Sequence, residues 1–344
     1  MAETPAGDDV AAVQKCEQAY NKIRDELSKT IVGQDDVVEQ TLVAMFARGH
    51  ALLEGVPGLA KTLLVSSLAK ALHLTFKRVQ FTPDLMPSDV TGTDVIQENL
   101  ETRARQYTFL PGPLFANMVL ADEINRTPPK TQAAMLEAMQ ERQVTIEGET
   151  LRLPRPFLVL ATQNPVEQEG VYLLPEAQID RFLIRIRLDY PTAANEMQML
   201  RTYDRAPPPT QPVSSIDELL RLAALVEDVH VEDRVLSYAL RLVRATREHG
   251  RVALGASPRA SLGLVRLAKA RALLSGRDYA TPDDLIALLP YVLEHRVMVT
   301  TDAAIEGATA GHVLSDVLRR TPVVDAKASD RPLPIAPGWA DIDA

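Results

Sequence analysis

The residues best placed to do chemistry fall into two groups about sixty positions apart. The first is Gly55-Val56-Pro57-Gly58-Leu59-Ala60-Lys61-Thr62, directly after the apolar run Ala51-Leu52-Leu53. Glycines let a backbone fold around an anion, so that successive N–H groups point at phosphate oxygens. In this spacing Lys61 reaches the β- and γ-phosphates and Thr62 offers a hydroxyl to Mg²⁺. A helix beginning at Lys61 would turn its positive dipole end toward the phosphates. Ala60 stands where the strict motif has glycine; alanine keeps the N–H and is tolerable there if φ stays negative. Taken alone, the segment also reads as a Gly/Pro turn between a strand and a helix, and the strand–loop–helix context is what favours phosphate binding.

The second group opens with Asn117-Met118-Val119-Leu120-Ala121-Asp122-Glu123, an apolar strand ending in two carboxylates. There Asp122 would hold Mg²⁺ and Glu123 would act as general base on a water. In isolation the pair could equally begin a loop, with Glu123 capping the next helix. Past the next apolar run, Ala161-Thr162-Gln163-Asn164-Pro165 places an amide, Asn164, that could bridge the γ-phosphate and the water. The alternative for Asn164 is a turn before Pro165. Arg181, in Leu174-Pro175-Glu176-Ala177-Gln178-Ile179-Asp180-Arg181-Phe182, is either a charge for the phosphate or a surface ion pair with Asp180 or Glu176.

These residues need a scaffold, and the pattern supplies one. Short apolar runs at 51–53, 118–121, 157–161 and 182–184, with an alternating segment at 75–82, are separated for the most part by helical spacing. Helices are expected over roughly 9–29, 35–48 and 61–72. Such alternation predicts a parallel sheet covered on both faces. Two segments interrupt the rhythm, 93–110 and 143–153, and both read as hairpins with charged turns. Ala206-Pro207-Pro208-Pro209-Thr210-Gln211-Pro212 reads as a linker. Beyond it only helices are expected, near 215–228, 232–249, 258–274 and 282–295. The division expected is 1–205 for an α/β nucleotide-binding domain with N-terminal helices, 213–322 for a smaller helical lid, and 323–344 for a flexible tail.

Bulk properties narrow the function classes. The chain has 344 residues and a formal charge of -9, which argues against general nucleic-acid binding. Cys16 is the single cysteine, so no internal disulfide forms and a reducing compartment fits. No run approaches the length of a membrane span, and the first residues are polar and acidic, so a cytoplasmic location is expected. The histidines at 50, 73, 230, 249, 295 and 312 show no metal-ligand spacing.

Together these motifs resemble the AAA+ ATPases and, within them, the MoxR family. The likeness covers roughly 15–320 and includes the phosphate loop with Ala60 before Lys61. It continues through Leu120-Ala121-Asp122-Glu123-Ile124-Asn125-Arg126-Thr127-Pro128-Pro129-Lys130-Thr131-Gln132 and Leu136-Glu137-Ala138-Met139-Gln140-Glu141, then the Asn164 and Arg181 segments. The resemblance implies ATP and Mg²⁺ as ligands and ATP hydrolysis in a hexameric ring. It implies that Ile31-Val32-Gly33-Gln34 flanks the adenine, that Asn164 is sensor 1, and that Arg181 is an arginine finger given to the neighbouring subunit. Arg259, in Gly255-Ala256-Ser257-Pro258-Arg259-Ala260, would be sensor 2; on spacing alone it is a solvated charge at a helix start. The hairpins would face the central pore. The resemblance further implies chaperone-like remodelling or maturation of a partner, often one with a von Willebrand factor A domain, or metal and cofactor insertion. Two rival readings stay open: a magnesium-chelatase-like motor subunit, and a nucleotide-gated scaffold with little hydrolysis.

Overall fold

The computed structural model describes residues 6–56, 58–98, 105–146, 148–163, 172, 174–204 and 209–323. Its strands are β1 (Ala51–Glu54), β2 (Phe76–Gln80), β3 (Gly92–Glu98), β4 (Arg105–Pro111), β5 (Met118–Asp122), β6 (Gln143–Ile146), β7 (Glu149–Arg152), β8 (Leu158–Gln163), β9 (Ile184–Arg187), β10 (Val252–Leu254) and β11 (Met298–Val299). Five of them form one sheet in the order β2-β5-β8-β1-β9. Each neighbouring pair in it is parallel, so every carboxyl end lies along one edge. In such sheets ligands sit beyond the carboxyl ends.

Alternate residues of these strands face opposite cores. Ala51, Leu53, Leu120, Leu160, Ile184 and Ile186 join one buried cluster, which continues without a break into the C-terminal helices. Leu52, Val119, Ala121, Val159 and Ala161 join the other, with Phe81, Met135, Leu136 and Phe182. Burial on both faces explains why these runs read as continuous apolar stretches rather than alternating ones.

Helices Ala6–Ser28, Asp35–Phe46 and Lys61–Ala71 lie where helical spacing placed them, within a few residues. Both interruptions are antiparallel hairpins, β3 with β4 and β6 with β7. Residues 99–104 and 147, at their turns, lie outside the described residues, as do 205, 206–208 of the expected linker and 324–344 of the expected tail. A further helix, Ala193–Tyr203, buries none of its residues; Met197 and Leu200 are exposed. Its start is capped by Thr192, and Tyr203 donates to Thr30 O (2.7 Å).

The C-terminal region departs from the all-helix expectation. Helices Ile216–Asp228, Asp233–Glu248, Pro258–Leu274, Pro282–Leu293, Thr301–Ile305 and Ala310–Arg320 are joined by a small antiparallel pair, β10 with β11. Three- and two-residue strands far apart in sequence carry no periodic signal, so only the fold reveals them.

Candidate active site

Lys61, Thr62, Asp122 and Glu123 gather at the carboxyl edge because their strands end there. The phosphate-loop segment leaves β1, and Asp122 is the last residue of β5, two strands away. Gly55 N–H donates to Gln163 O at the end of β8, tying the loop's start to the sheet (3.5 Å). A Cβ on Gly55 would stand 2.6 Å from Leu188 O, so only glycine fits there. Gly58 takes φ +88°, and nothing lies within 4 Å of where its Cβ would be. Pro57 lies outside the described residues.

Ala60 overturns one expectation. Its φ is +55°, in the left-handed region, rather than negative. It is the N-cap of the helix Lys61–Ala71, where the chain passes from loop to helix. Alanine holds it at about 1–2 kcal/mol. Glu123 is left-handed as well, with φ +56°. It precedes the short turn Ile124–Arg126, yet its side chain makes no capping bond. The capping alternative for Glu123 therefore has no support in the geometry. Strain at a carboxylate on a strand end is the kind that clusters at functional sites.

The carboxylates are held by neighbours on adjacent strands. Arg78, on β2, grips Asp122 Oδ2 through Nε (3.0 Å) and Nη2 (2.6 Å). Gln80, two residues on and therefore on the same face, donates to Glu123 Oε2 (2.7 Å). Arg126 also donates to that oxygen (2.9 Å). Thr162, on β8, joins the two acids: its hydroxyl donates to Asp122 Oδ1 (2.7 Å) and accepts from Glu123 N–H (2.8 Å). Sequence reasoning missed Arg78, Gln80 and Thr162 as site residues. The period-two placement of Arg78 and Gln80 in an otherwise sheet-forming run was the one available signal.

Lys61 donates to Gly55 O. Burial draws its ammonium below the usual value, against the opposing pull of Asp122, Glu123 and Glu54. The Thr62 hydroxyl has no partner among the described residues. A hydroxyl and a carboxylate are hard oxygen donors of the kind Mg²⁺ takes, and the open side of Gly58 leaves room for an anion. These residues fit a magnesium triphosphate.

The other expected residues are distributed unevenly. The 31–34 segment touches the phosphate loop, with Gln34 Nε2 donating to Leu59 O (3.1 Å). Ile31 and Val32 are themselves buried, Ile31 within the main core. Asn164 lies outside the described residues. Arg181 precedes β9 and so sits at the amino edge of the sheet, away from the phosphate loop of its own chain. Neither expected ion pair of Arg181 forms: Asp180 is paired to Arg296 instead (2.6 Å). Arg259, exposed in the first turn of Pro258–Leu274, lies two residues from Ser257, whose hydroxyl donates to Asp180 (3.1 Å). The fold thus groups Arg259 with Arg181. Neither guanidinium has a partner among the described residues. A cation at a helix N-terminus opposes the helix dipole, which is a poor choice for stability alone.

A parallel sheet with a phosphate loop, paired carboxylates on an inner strand and a helical lid defines an AAA-type ATPase. Residues 50–184 match the family model described as "ATPase family associated with various cellular activities (AAA)", and 244–317 match an AAA lid domain. Chaperone MoxR1 of Mycobacterium tuberculosis is 46% identical, over 86% of this chain and 79% of its own length. The uncharacterized protein YeaC of Bacillus subtilis is 44% identical over 86% and 92%, and Protein MoxR of Methylorubrum extorquens 32% identical over 80% and 86%. A crystal structure of a Cytophaga hutchinsonii protein, 40% identical, superposes with a TM-score of 0.84 over 91% of this chain and 97% of that one. The chain belongs to the MoxR family of AAA+ ATPases. No described helix is long and apolar enough to cross a membrane.

Proposed function

We propose that this chain hydrolyses ATP at sites shared between neighbouring subunits of a ring and uses the cycle to remodel a partner protein. One observation carries the reading: Lys61, Thr62, Asp122 and Glu123 stand at the carboxyl edge of the sheet, while Arg181 and Arg259 stand together by its amino edge. Arg181 enters the sheet at the edge opposite its own phosphate loop and Arg259 lies with it, so in this reading both serve a neighbour's loop. An arginine supplied in trans makes hydrolysis depend on assembly.

In this reading backbone N–H groups of Gly58 to Lys61 and the Lys61 ammonium bind the β- and γ-phosphates. Thr62 and Asp122 would hold Mg²⁺, which when bound would supply charge stabilisation for the phosphates. Glu123 takes a proton from the attacking water, and Asn164 orients that water. A neighbour's Arg181 and Arg259 stabilise negative charge on the transferring group. A hexameric ring is the assembly we propose. A nucleotide-gated scaffold would need only the binding half of this set.

The test is subunit mixing. Lys61→Ala should abolish binding in a labelled-nucleotide titration, and Arg181→Ala should bind normally but turn over slowly. Mixed together, they should regain activity, because some interfaces then join an intact loop to an intact arginine. No recovery at any ratio, in rings shown to be mixed, would refute the trans assignment.

For the partner, we propose a separate protein with a von Willebrand factor A domain, contacted by the hairpins. Ile96 and Tyr107 lie directly opposite each other on β3 and β4, and both are exposed. Exposed apolar pairs on a hairpin are costly unless covered by a partner. Replacing both with threonine should leave basal ATPase intact and weaken remodelling; unchanged remodelling would move the contact elsewhere.

A further inference from the structure

Among the described residues, Arg296 is the most heavily bonded side chain at the junction between lid and sheet. It stands on the short turn Glu294–Arg296, and its side chain is 2% exposed. Its guanidinium donates to the carbonyls of Asp180 (3.2 Å), Phe182 (2.6 Å), Leu183 (3.2 Å) and Val292. It also pairs with the Asp180 carboxylate (2.6 Å). Three of those carbonyls bracket Arg181. The lid's Ser257 donates to the same carboxylate, two residues before Arg259. Glu294, on the same turn, holds Arg185 (3.3 Å) and Arg187 (2.9 Å) on β9.

We propose that Arg296, through Asp180, is a positioning residue that locks Arg181 and Arg259 into one unit. The arginine pair a subunit offers its neighbour then moves with the lid of the subunit that carries it. A planar five-donor fork is suited to such a joint, since one side chain can satisfy a carboxylate and several carbonyls at once. Arg185 and Arg187, which Glu294 holds, also pair with Glu54 just before the phosphate loop (3.4 Å each), but Arg296 and Asp180 themselves bond no residue of that loop, so a loosened Arg296–Asp180 joint should impair hydrolysis next door and spare nucleotide binding at home. The proposal rests on the reading of Arg181 as acting in trans.

The test separates the two ideas. Arg296→Gln rings should lose roughly 10-fold or more in kcat, with KM for ATP within about twofold of the parent. Arg296→Lys, which keeps the charge but not the fork, should fall between. Mixing Arg296→Gln with Glu123→Gln subunits should raise turnover above the sum of the two alone, because the Glu123→Gln subunit brings an intact arginine pair to a working loop. Where Arg296→Gln does not fold, Asp180→Asn, which keeps the backbone bonds, should show the same pattern. An unchanged kcat, a rise in KM alone, or no gain in this mixture while Arg181→Ala with Glu123→Gln does gain, overturns the role of Arg296. If neither mixture gains, the trans reading itself falls and the proposal falls with it.

Discussion

At the carboxyl ends of β1, β5 and β8 the backbone is strained at Ala60 and Glu123, and the acids are held by bonds to exposed Arg78 and Gln80 and half-buried Arg126. At the amino ends the supporting groups His50, His295 and Arg296 are closely bonded, while Arg181 and the exposed Arg259 have no partner among the described residues. His50, just before β1, accepts from Val159 N–H at Nδ1 (3.0 Å) and so donates from Nε2 to Met139 O (2.9 Å). Arg296 and His295 close the same edge against Phe182 O. One edge holds its charges in arrangements that a ligand can replace, and the other fixes the backbone on either side of Arg181 while leaving that guanidinium unbonded among the described residues. The difference fits an edge that exchanges ligands and an edge that presents a rigid surface to a neighbour.

The largest expected effect tests the exchangeable edge. Glu123→Gln keeps the shape and the Thr162 bond to its backbone but removes the base. Turnover should drop by roughly 10²-fold or more, with nucleotide still bound. A change of less than about twofold in a steady-state assay would assign the base elsewhere.

Acid should discriminate the fixed edge. Burial holds His50 down to about 4, and burial beside Arg296 and Arg185 holds His295 well below 6.5. Both are neutral when folded and protonate when unfolded, so the unfolded state binds more protons below 6.5. Stability is therefore full above pH 6.5 and falls as pH drops toward 4, by about 3 kcal/mol for His50 over that whole window. Urea unfolding at pH 7.5, 6 and 5 reads most of this before carboxylates contribute. A flat profile would mean that these histidines are not buried neutral.

Thr162→Val asks how much the two acids depend on one hydroxyl. It leaves Glu123 N–H without its acceptor, at about 1–3 kcal/mol, and frees Asp122 from one anchor. Hydrolysis should suffer more than ATP affinity. Equal loss in both would make Thr162 a plain support of the sheet. The smallest effect is at Ala60. Glycine there should relieve the left-handed strain and stabilise the chain by about 1 kcal/mol in denaturant titrations. A loss of stability would mean that the methyl group packs usefully in the loop.

What the sequence made legible was local. The phosphate loop and the Asp122-Glu123 pair are contiguous runs whose spacing is their chemistry, and four of the five sheet strands are apolar runs that announce themselves, while β2 shows as an alternating segment. The hidden parts depend on which strand lies beside which. Arg78 and Thr162 reach Asp122 only because β5 lies between β2 and β8. Arg259 meets the Arg181 segment only because the lid folds back against the start of β9. The sign of φ at Ala60 depends on how the helix leaves the loop, which no residue type at that position states.

The helix Ala193–Tyr203 carries a consequence for the lone subunit. It buries none of its residues, and its hold on the rest of the chain includes the bond from Tyr203 to Thr30 O. At 11 residues it is too short to persist in water on its own propensity. Its amide protons should therefore exchange with deuterium early in dilute subunits and late wherever another surface covers Met197 and Leu200. Under the proposed ring assembly, the helix would time association without touching the nucleotide site.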